Sequence, residues 1–382
     1  MIFAHWNSFI EVYMFDFIYK ISNTPLQIVC LIGILAIGVF FLVKFCDIFV
    51  DSASAIAKKM KISPLVIGLT IVAMGTSCPE LAVSVSDSIS VLSSGGNANV
   101  ALGNVVGSNI CNLLLVLGLS AIFTPLYVKK SVCKREFPFL IGISVLLTVF
   151  GIFFGLGDKA AFAITRWEAI IFVVLMVTYM VMIVKFAKKD QAAELANADL
   201  STQGTQNSSD ALKTETDEAS AKEKPFWLVI VLCVLGIAGI IAGGEMVVCG
   251  AKGLAVQAAG AIGLDHDLTE ALVGLTIVAV GTSLPELVTS VIAAKKGENE
   301  LAIGNVVGSN VFNILFILGI AGTVNPLTTG PQIIVDLAVM LVATVVVFIF
   351  CRKQRLEKWQ GYVMLGMYLG YLTYLIVRTL TA

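Results

Sequence analysis

Charge is scarce in this sequence, histidine almost absent, and cysteine lacks any metal-binding or redox spacing. Of 382 residues, 13% are charged, against roughly 25% in average chains. With 58% hydrophobic residues and a mean hydropathy of +0.93, the chain cannot build a water-exposed surface. That excludes a soluble globular enzyme, and equally disorder, collagen and a small disulfide scaffold. The formal net charge of -1 provides no basic field for nucleic acid. The two histidines, His5 and His266, lie outside the motifs described below, which argues against a histidine proton relay or a transition-metal site. Eight cysteines sit mostly in apolar runs without a CxxC pair and are read as buried thiols.

What is abundant is apolar sequence in runs long enough to cross a bilayer, which takes about 20 residues. Ten such spans are expected: 26–50, 64–93, 99–123, 137–157, 167–187, 226–256, 269–294, 301–323, 332–351 and 358–379. The second is interrupted. Residues 1–25 carry Glu11 and Asp16, lack a basic start and have no small-residue cleavage site. They read as an interfacial amphipathic segment, with Trp6, Tyr13 and Tyr19 near the headgroups, rather than a cleaved signal peptide. Residues 189–224 turn abruptly polar and carry a net charge of -4, which marks a disordered or loosely helical linker too short for a folded regulatory domain. Its Asn207-Ser208-Ser209 sequon is expected on the cytoplasmic side and carries no weight. The loops after spans one, three, seven and nine, together with the linker flanks, hold 19 of the 25 Lys and Arg residues. By the positive-inside rule that face is cytoplasmic, which leaves both termini outside and suits a multi-pass protein of the cell's inner (plasma) membrane.

The strongest signal is an internal repeat. Gly68 to Glu80 reads GLTIVAMGTSCPE and Gly274 to Glu286 reads GLTIVAVGTSLPE, differing at two of thirteen positions. The heptamer GNVVGSN then occurs identically at Gly103 to Asn109 and Gly304 to Asn310. The offset falls from 206 to 201, so one intervening loop is five residues shorter. Five spans separate the copies, an odd number, so the two must point in opposite directions through the membrane. The expected fold is all-α, about ten transmembrane helices in two inverted five-helix repeats. Its parts are the N-terminal segment 1–25, a first repeat 26–188, the cytoplasmic linker 189–224 and a second repeat 225–382.

Inverted repeats with interrupted helices are the architecture of secondary transporters. Pro79 cannot donate to the carbonyl of Gly75, nor Pro285 to that of Gly281, so each helix should open there and free backbone oxygens. Thr76, Ser77 and Glu80, and in the second copy Thr282, Ser283 and Glu286, bring hydroxyl, carbonyl and carboxylate oxygens together. Asn104, Ser108 and Asn112 are spaced by four, as are Asn305, Ser309 and Asn313, giving the next helix a polar stripe. An all-oxygen set with two carboxylates suits hard cations; calcium takes about six to eight such ligands. The plainer readings are that Gly103, Gly107, Gly304 and Gly308 pack helices closely and that lone hydroxyls bond back to their own helix. The first is compatible with a cation site, whereas the second must explain ten matched polar positions. Other acids in or near spans, Asp47, Asp51, Asp87, Glu245 and Asp336, are assigned helix-end or packing roles, with an access path or a secondary site as the alternative. Gly75-Thr76-Ser77 is no nucleophile elbow, because no histidine lies in a repeat to serve it.

These paired motifs resemble the alpha repeats of the calcium/cation antiporter superfamily, and most nearly its sodium/calcium exchangers of the bacterial calcium/sodium antiporter branch. The resemblance covers the ten spans and leaves out the first two dozen residues and the linker. It implies that the second, third, seventh and eighth helices surround the site, that the first and sixth slide across the other eight, and that the chain is a transporter and not an enzyme. Carried onto this sequence, Glu80, Glu286 and the carbonyls of Thr76 and Thr282 would hold calcium. Ser77, Ser108, Ser283, Ser309 and the carbonyls of Ala73 and Ala279 would serve sodium. Asn112 and Asn313 stand where some relatives carry aspartate. The cargo implied is Ca2+ and Na+, with K+ or H+ as further possibilities, and no cofactor, nucleic acid or obligatory protein partner is expected besides the lipid bilayer. A calcium/proton antiporter using the same glutamates, a channel, and a non-transporting membrane scaffold or receptor are the alternatives.

Overall fold

The computed structural model describes residues 18, 21, 24–94, 100–155, 162–203, 225–261 and 279–381. Outside them lie most of the expected N-terminal segment, both histidines, linker residues 204–224 and positions 274–278 of the second motif. The first half contains α1 (Thr24–Met60), α2 (Pro64–Thr76), α3 (Cys78–Ser94) and α4 (Val100–Phe123). Strand β1 (Leu126–Tyr127), α5 (Phe137–Gly155), strand β2 (Phe162–Ile164) and α6 (Arg166–Gln203) follow. The second contains α7 (Phe226–Ala261), α8 (Ala279–Thr282), α9 (Leu284–Lys295) and α10 (Asn299–Val324). It closes with β3 (Leu327–Thr329), α11 (Ile333–Cys351), β4 (Arg355–Leu356) and α12 (Lys358–Thr381).

Among the described residues eight helices are long and apolar enough to span a membrane, and nine if the bent pair α2 and α3 counts as one crossing. The seventh expected span, 269–294, is described from residue 279 onward. Helix α6 runs on to Gln203, so the first part of the expected linker is helical. Burial sorts the helices into layers. The apolar stretch of α10 is 94% buried and that of α4 78%, whereas those of α1 and α12 are each 22% buried. The two GNVVGSN helices are therefore the centre, and α1 and α12 face lipid.

Glycine lets α2 reach that centre. A β-carbon on Gly304 would stand 2.7 Å from the Leu65 carbonyl oxygen, and one on Gly308 2.7 Å from the Leu69 Cα. The packing role expected of the second GxxxG is thus met by direct backbone approach. A second glycine seam joins α1 and α7, which run antiparallel: Gly236 meets Phe49, Gly243 meets Leu42, and Gly250 meets Leu35. Of the eight cysteines, all free thiols, five are buried, Cys30 and Cys133 are partly buried, and Cys78 is exposed, contrary to the uniform burial expected.

The short strands reveal the inversion. β1, which follows α4, pairs antiparallel with β4, which follows α11. β2, which follows α5, pairs with β3, which follows α10. The loop after the third span of one half therefore meets the loop after the fourth span of the other. Only halves of opposite orientation bring those loops to a common face.

The same geometry gathers the lysine-rich loops. Lys129 lies 2.7 Å from Glu300, which also accepts from the Ser63 hydroxyl at 2.7 Å. Lys296 bridges Asp51 at 2.7 Å and Asp47 at 3.2 Å, and Ser54 donates to Glu298 at 2.6 Å. Asp47 and Asp51 thus pair, from within α1 and not from its end, with the lysine that caps α9; Asp336, in the first turn of α11, pairs with Arg378 at 3.1 Å, the helix-end role expected of it. Burial works against the Lys296 charge, but its bonds to Asp51 and Asp47 outweigh that and hold its ammonium above the ordinary lysine value. The bridge is partly solvent-screened, Asp51 being 71% exposed. Lys296→Ala should therefore cost no more than about 1 kcal/mol in denaturation of the purified protein.

Candidate cation site

The site begins where proline breaks a helix. α2 ends at Thr76, Ser77 leaves helical geometry at φ -86° and ψ 12°, and α3 restarts at Cys78 with a bend of 49°. Ser283 repeats this between α8 and α9 at φ -89° and ψ 5°. Without an N–H, Pro79 and Pro285 leave the carbonyls four residues earlier without their helical donor. The break turns Glu80 and Glu286, each in the first turn of the restarted helix, into the protein interior, where both are fully buried.

Each helix break reaches across to the opposite half. Ser77 donates to Glu286 Oε1 at 2.7 Å, and Ser309 approaches the same oxygen at 3.5 Å. Ser108 and Ser283 face the Glu80 carboxylate, yet neither closes a hydrogen bond of normal geometry, and both Glu80 oxygens lack a partner. Glu286 Oε2 and the hydroxyls of Ser108 and Ser283 are orphaned too. The two carboxylates lie close enough to feel each other's charge. Among the described residues, no lysine or arginine pairs with either.

The remaining expected residues divide. Asn112 and Asn313 are fully buried, one helical turn beyond Ser108 and Ser309, and each opens a π turn, Asn112–Val116 and Asn313–Ile317. Such turns recur at functional sites. The Thr76 hydroxyl turns away from Glu80, donating to Asn305 Oδ1 at 3.0 Å and back to the Val72 carbonyl at 3.1 Å. The Ala73 carbonyl accepts from the Ser77 N–H at 3.1 Å, so it is engaged within its helix. Thr282 closes α8 and Ala279 opens it.

Asn104 and Asn305, expected as part of the polar stripe, find partners in Ser84 and Ser290; neither these serines nor the contact of a second pair was singled out from sequence. Asn305 donates to the Ser290 hydroxyl at 2.9 Å and the Glu286 carbonyl at 3.5 Å; Asn104 does the same to Ser84 at 3.1 Å and Glu80 at 3.3 Å. Each asparagine thereby fixes the backbone of its own half's glutamate. Ser84 and Ser290 each stand four residues past a glutamate, a match lying just beyond the thirteen-residue motif. The second pair, Asn109 and Asn310, joins the halves where α4 crosses α10.

Chemically, the arrangement offers two carboxylates with hydroxyl and amide oxygens around them in a fully buried interior, with several donors and acceptors unmatched. The sodium/calcium exchanger protein family model matches residues 30–185 and 228–377. The sodium/calcium exchanger MaX1 of Methanosarcina acetivorans is 34% identical over 90% of this chain and 97% of its own length. The inner membrane protein YrbG of Escherichia coli is 32% identical over 86% and 91%. Among solved structures, the sodium-calcium exchanger NCX_Mj aligns with a TM-score of 0.69 at 29% identity, covering 90% of this chain and 98% of that one. With two inverted motif copies meeting around paired glutamates, the chain belongs to the sodium/calcium exchanger family.

Proposed function

We propose that the protein is a sodium-coupled calcium antiporter that works by alternating access, with calcium efflux driven by inward sodium. The observation that carries this reading is the pair of fully buried glutamates, one with both oxygens unpartnered, facing hydroxyls from the opposite half. A bare carboxylate in a dry interior is costly unless a cation or proton compensates it. Two ionised glutamates neutralise one calcium ion. The calcium ligands are Glu80 and Glu286 with the carbonyls of Thr76 and Thr282. Sodium uses Ser77, Ser108, Ser283 and Ser309 with the carbonyls of Ala73 and Ala279, and Asn112 and Asn313 complete the set. Exchange follows because the occluded site crosses readily only when loaded. The lysine-rich face is cytoplasmic, both termini are outside, and the repeats are 26–188 and 225–382, a division supported by the two separate family-matched stretches.

The test is isotopic calcium flux into proteoliposomes with sodium, potassium and proton gradients imposed separately. An outward sodium gradient alone should drive uptake well above the no-gradient control. Uptake driven by protons without sodium would instead assign a calcium/proton antiporter. Flux needing no counter-ion would indicate a channel, and no flux together with no calcium binding a scaffold.

A further inference from the structure

Asn109 and Asn310 close the two identical heptamers, yet they make different bonds. Asn109 Nδ2 donates to the Asn310 backbone carbonyl at 3.4 Å and also approaches Met340 Sδ at 3.7 Å. A backbone carbonyl can only accept, so this bond fixes which way the Asn109 amide is turned. Its Oδ1 then accepts from Asn313 Nδ2 at 3.1 Å. Asn313 is fixed in turn: its nitrogen points to Asn109, and its Oδ1, buried and without a partner, is presented away from that amide. Ser309, one turn earlier on the same helix, is the hydroxyl that approaches Glu286.

The other copy is not built this way. Asn310 Nδ2 donates one turn back along its own helix to the Val306 carbonyl at 2.7 Å. Neither amide atom of Asn112 has a partner. Two asparagines at matched positions therefore differ in restraint, one tethered and one not.

We propose that Asn109 is a positioning residue that orients Asn313 so that its carbonyl oxygen is preset as a cation ligand, while Asn112 is left untethered. This rests on the reading of Glu80 and Glu286 as the cation site. It makes the two halves chemically unequal despite their identical heptamers. An aspartate at 112 would add a full negative charge beside the cation. An aspartate at 313 would set an acceptor against Asn109 Oδ1, so it must keep a proton or overturn the Asn109 amide, and gains little for the cation.

The test is calcium titration of the detergent-solubilised full chain by calorimetry. Asn112→Asp should tighten calcium binding by about threefold or more, and Asn313→Asp should not tighten it. Asn109→Leu should weaken binding by about tenfold, the effect of losing a hydrogen bond to a buried ligand, and should have no further effect in an Asn313→Ala background. Equal tightening by both aspartates would overturn the proposal, as would additive losses from Asn109→Leu and Asn313→Ala. If Asn109→Leu fails to fold, the aspartate pair decides alone. Glu80→Gln separates the two levels: retained calcium binding would sink the cation-site reading itself, whereas lost binding with matched aspartate variants would sink only the role of Asn109.

Discussion

Glu80→Gln and Glu286→Gln are each expected to reduce sodium-driven calcium uptake to background. Glutamine has nearly the same shape, so neither change opens a cavity, and what is lost is the charge of one of two fully buried carboxylates. A unit charge about 4 Å from a cation is worth about 4 kcal/mol at an effective dielectric constant near 20. Even after allowance for the divalent ion's other oxygens, calcium affinity should fall by about a hundredfold or more. At Glu286 the Ser77 hydroxyl retains an acceptor in the amide oxygen, so that variant should keep its fold. Glu80 has no hydrogen-bond partner to lose, and its variant should melt at or above the wild-type temperature. Isotopic uptake into everted vesicles, with melting followed in parallel, measures both. Undiminished uptake in either variant would refute the assignment.

Gly304→Leu should have the largest effect on the fold. The position faces backbone: the Leu65 carbonyl oxygen at 2.7 Å from an added β-carbon and the Gly68 Cα at 3.0 Å. No side-chain rotamer can relieve such a contact, so α2 itself would have to withdraw from α10. Overpacking a tight interior costs about 1–3 kcal/mol and occasionally more, and a backbone neighbour puts this case at the upper end. The variant should lose calcium flux and elute as aggregate in size-exclusion chromatography. Gly366→Leu, at a glycine of α12 with open space around it, is the matched control and should elute normally. Equal behaviour of the two would show that the close approach of α2 and α10 is dispensable.

Much of this architecture was legible in the residues. Thirteen-residue and seven-residue copies separated by an odd number of spans dictate inversion, and proline one residue before each glutamate dictates a broken helix. The site's oxygen chemistry also followed from composition, because Glu80 and Glu286 are acids inside otherwise apolar runs. What spacing could not show is which half a side chain serves. Ser77 lies three residues from Glu80 in sequence but bonds Glu286, because the break at Pro79 turns its hydroxyl across the interface between the halves. The direction of the Thr76 hydroxyl was hidden for the same reason, since Asn305 competes for it from another helix. The π turns at Asn112 and Asn313 were invisible as well. An extra residue in one turn depends on packing against neighbours and leaves no mark on residue type. Strands of two or three residues, such as β1 and β4, are set by their partners and not by local propensity.

Those strands also impose an order in time on a chain made from its N-terminus. Leu126 pairs with Leu356, 230 residues later, and Phe162 pairs with Thr329, 167 residues later. Neither ribbon of the first half can close while that half is being synthesised. The nascent first half must wait in the bilayer, with β2 unclaimed until the eighth span has been made and β1 unclaimed until the ninth. A ribosome stalled before residue 327 would leave both edges open, and that window is when a stray edge is available for capture by another chain.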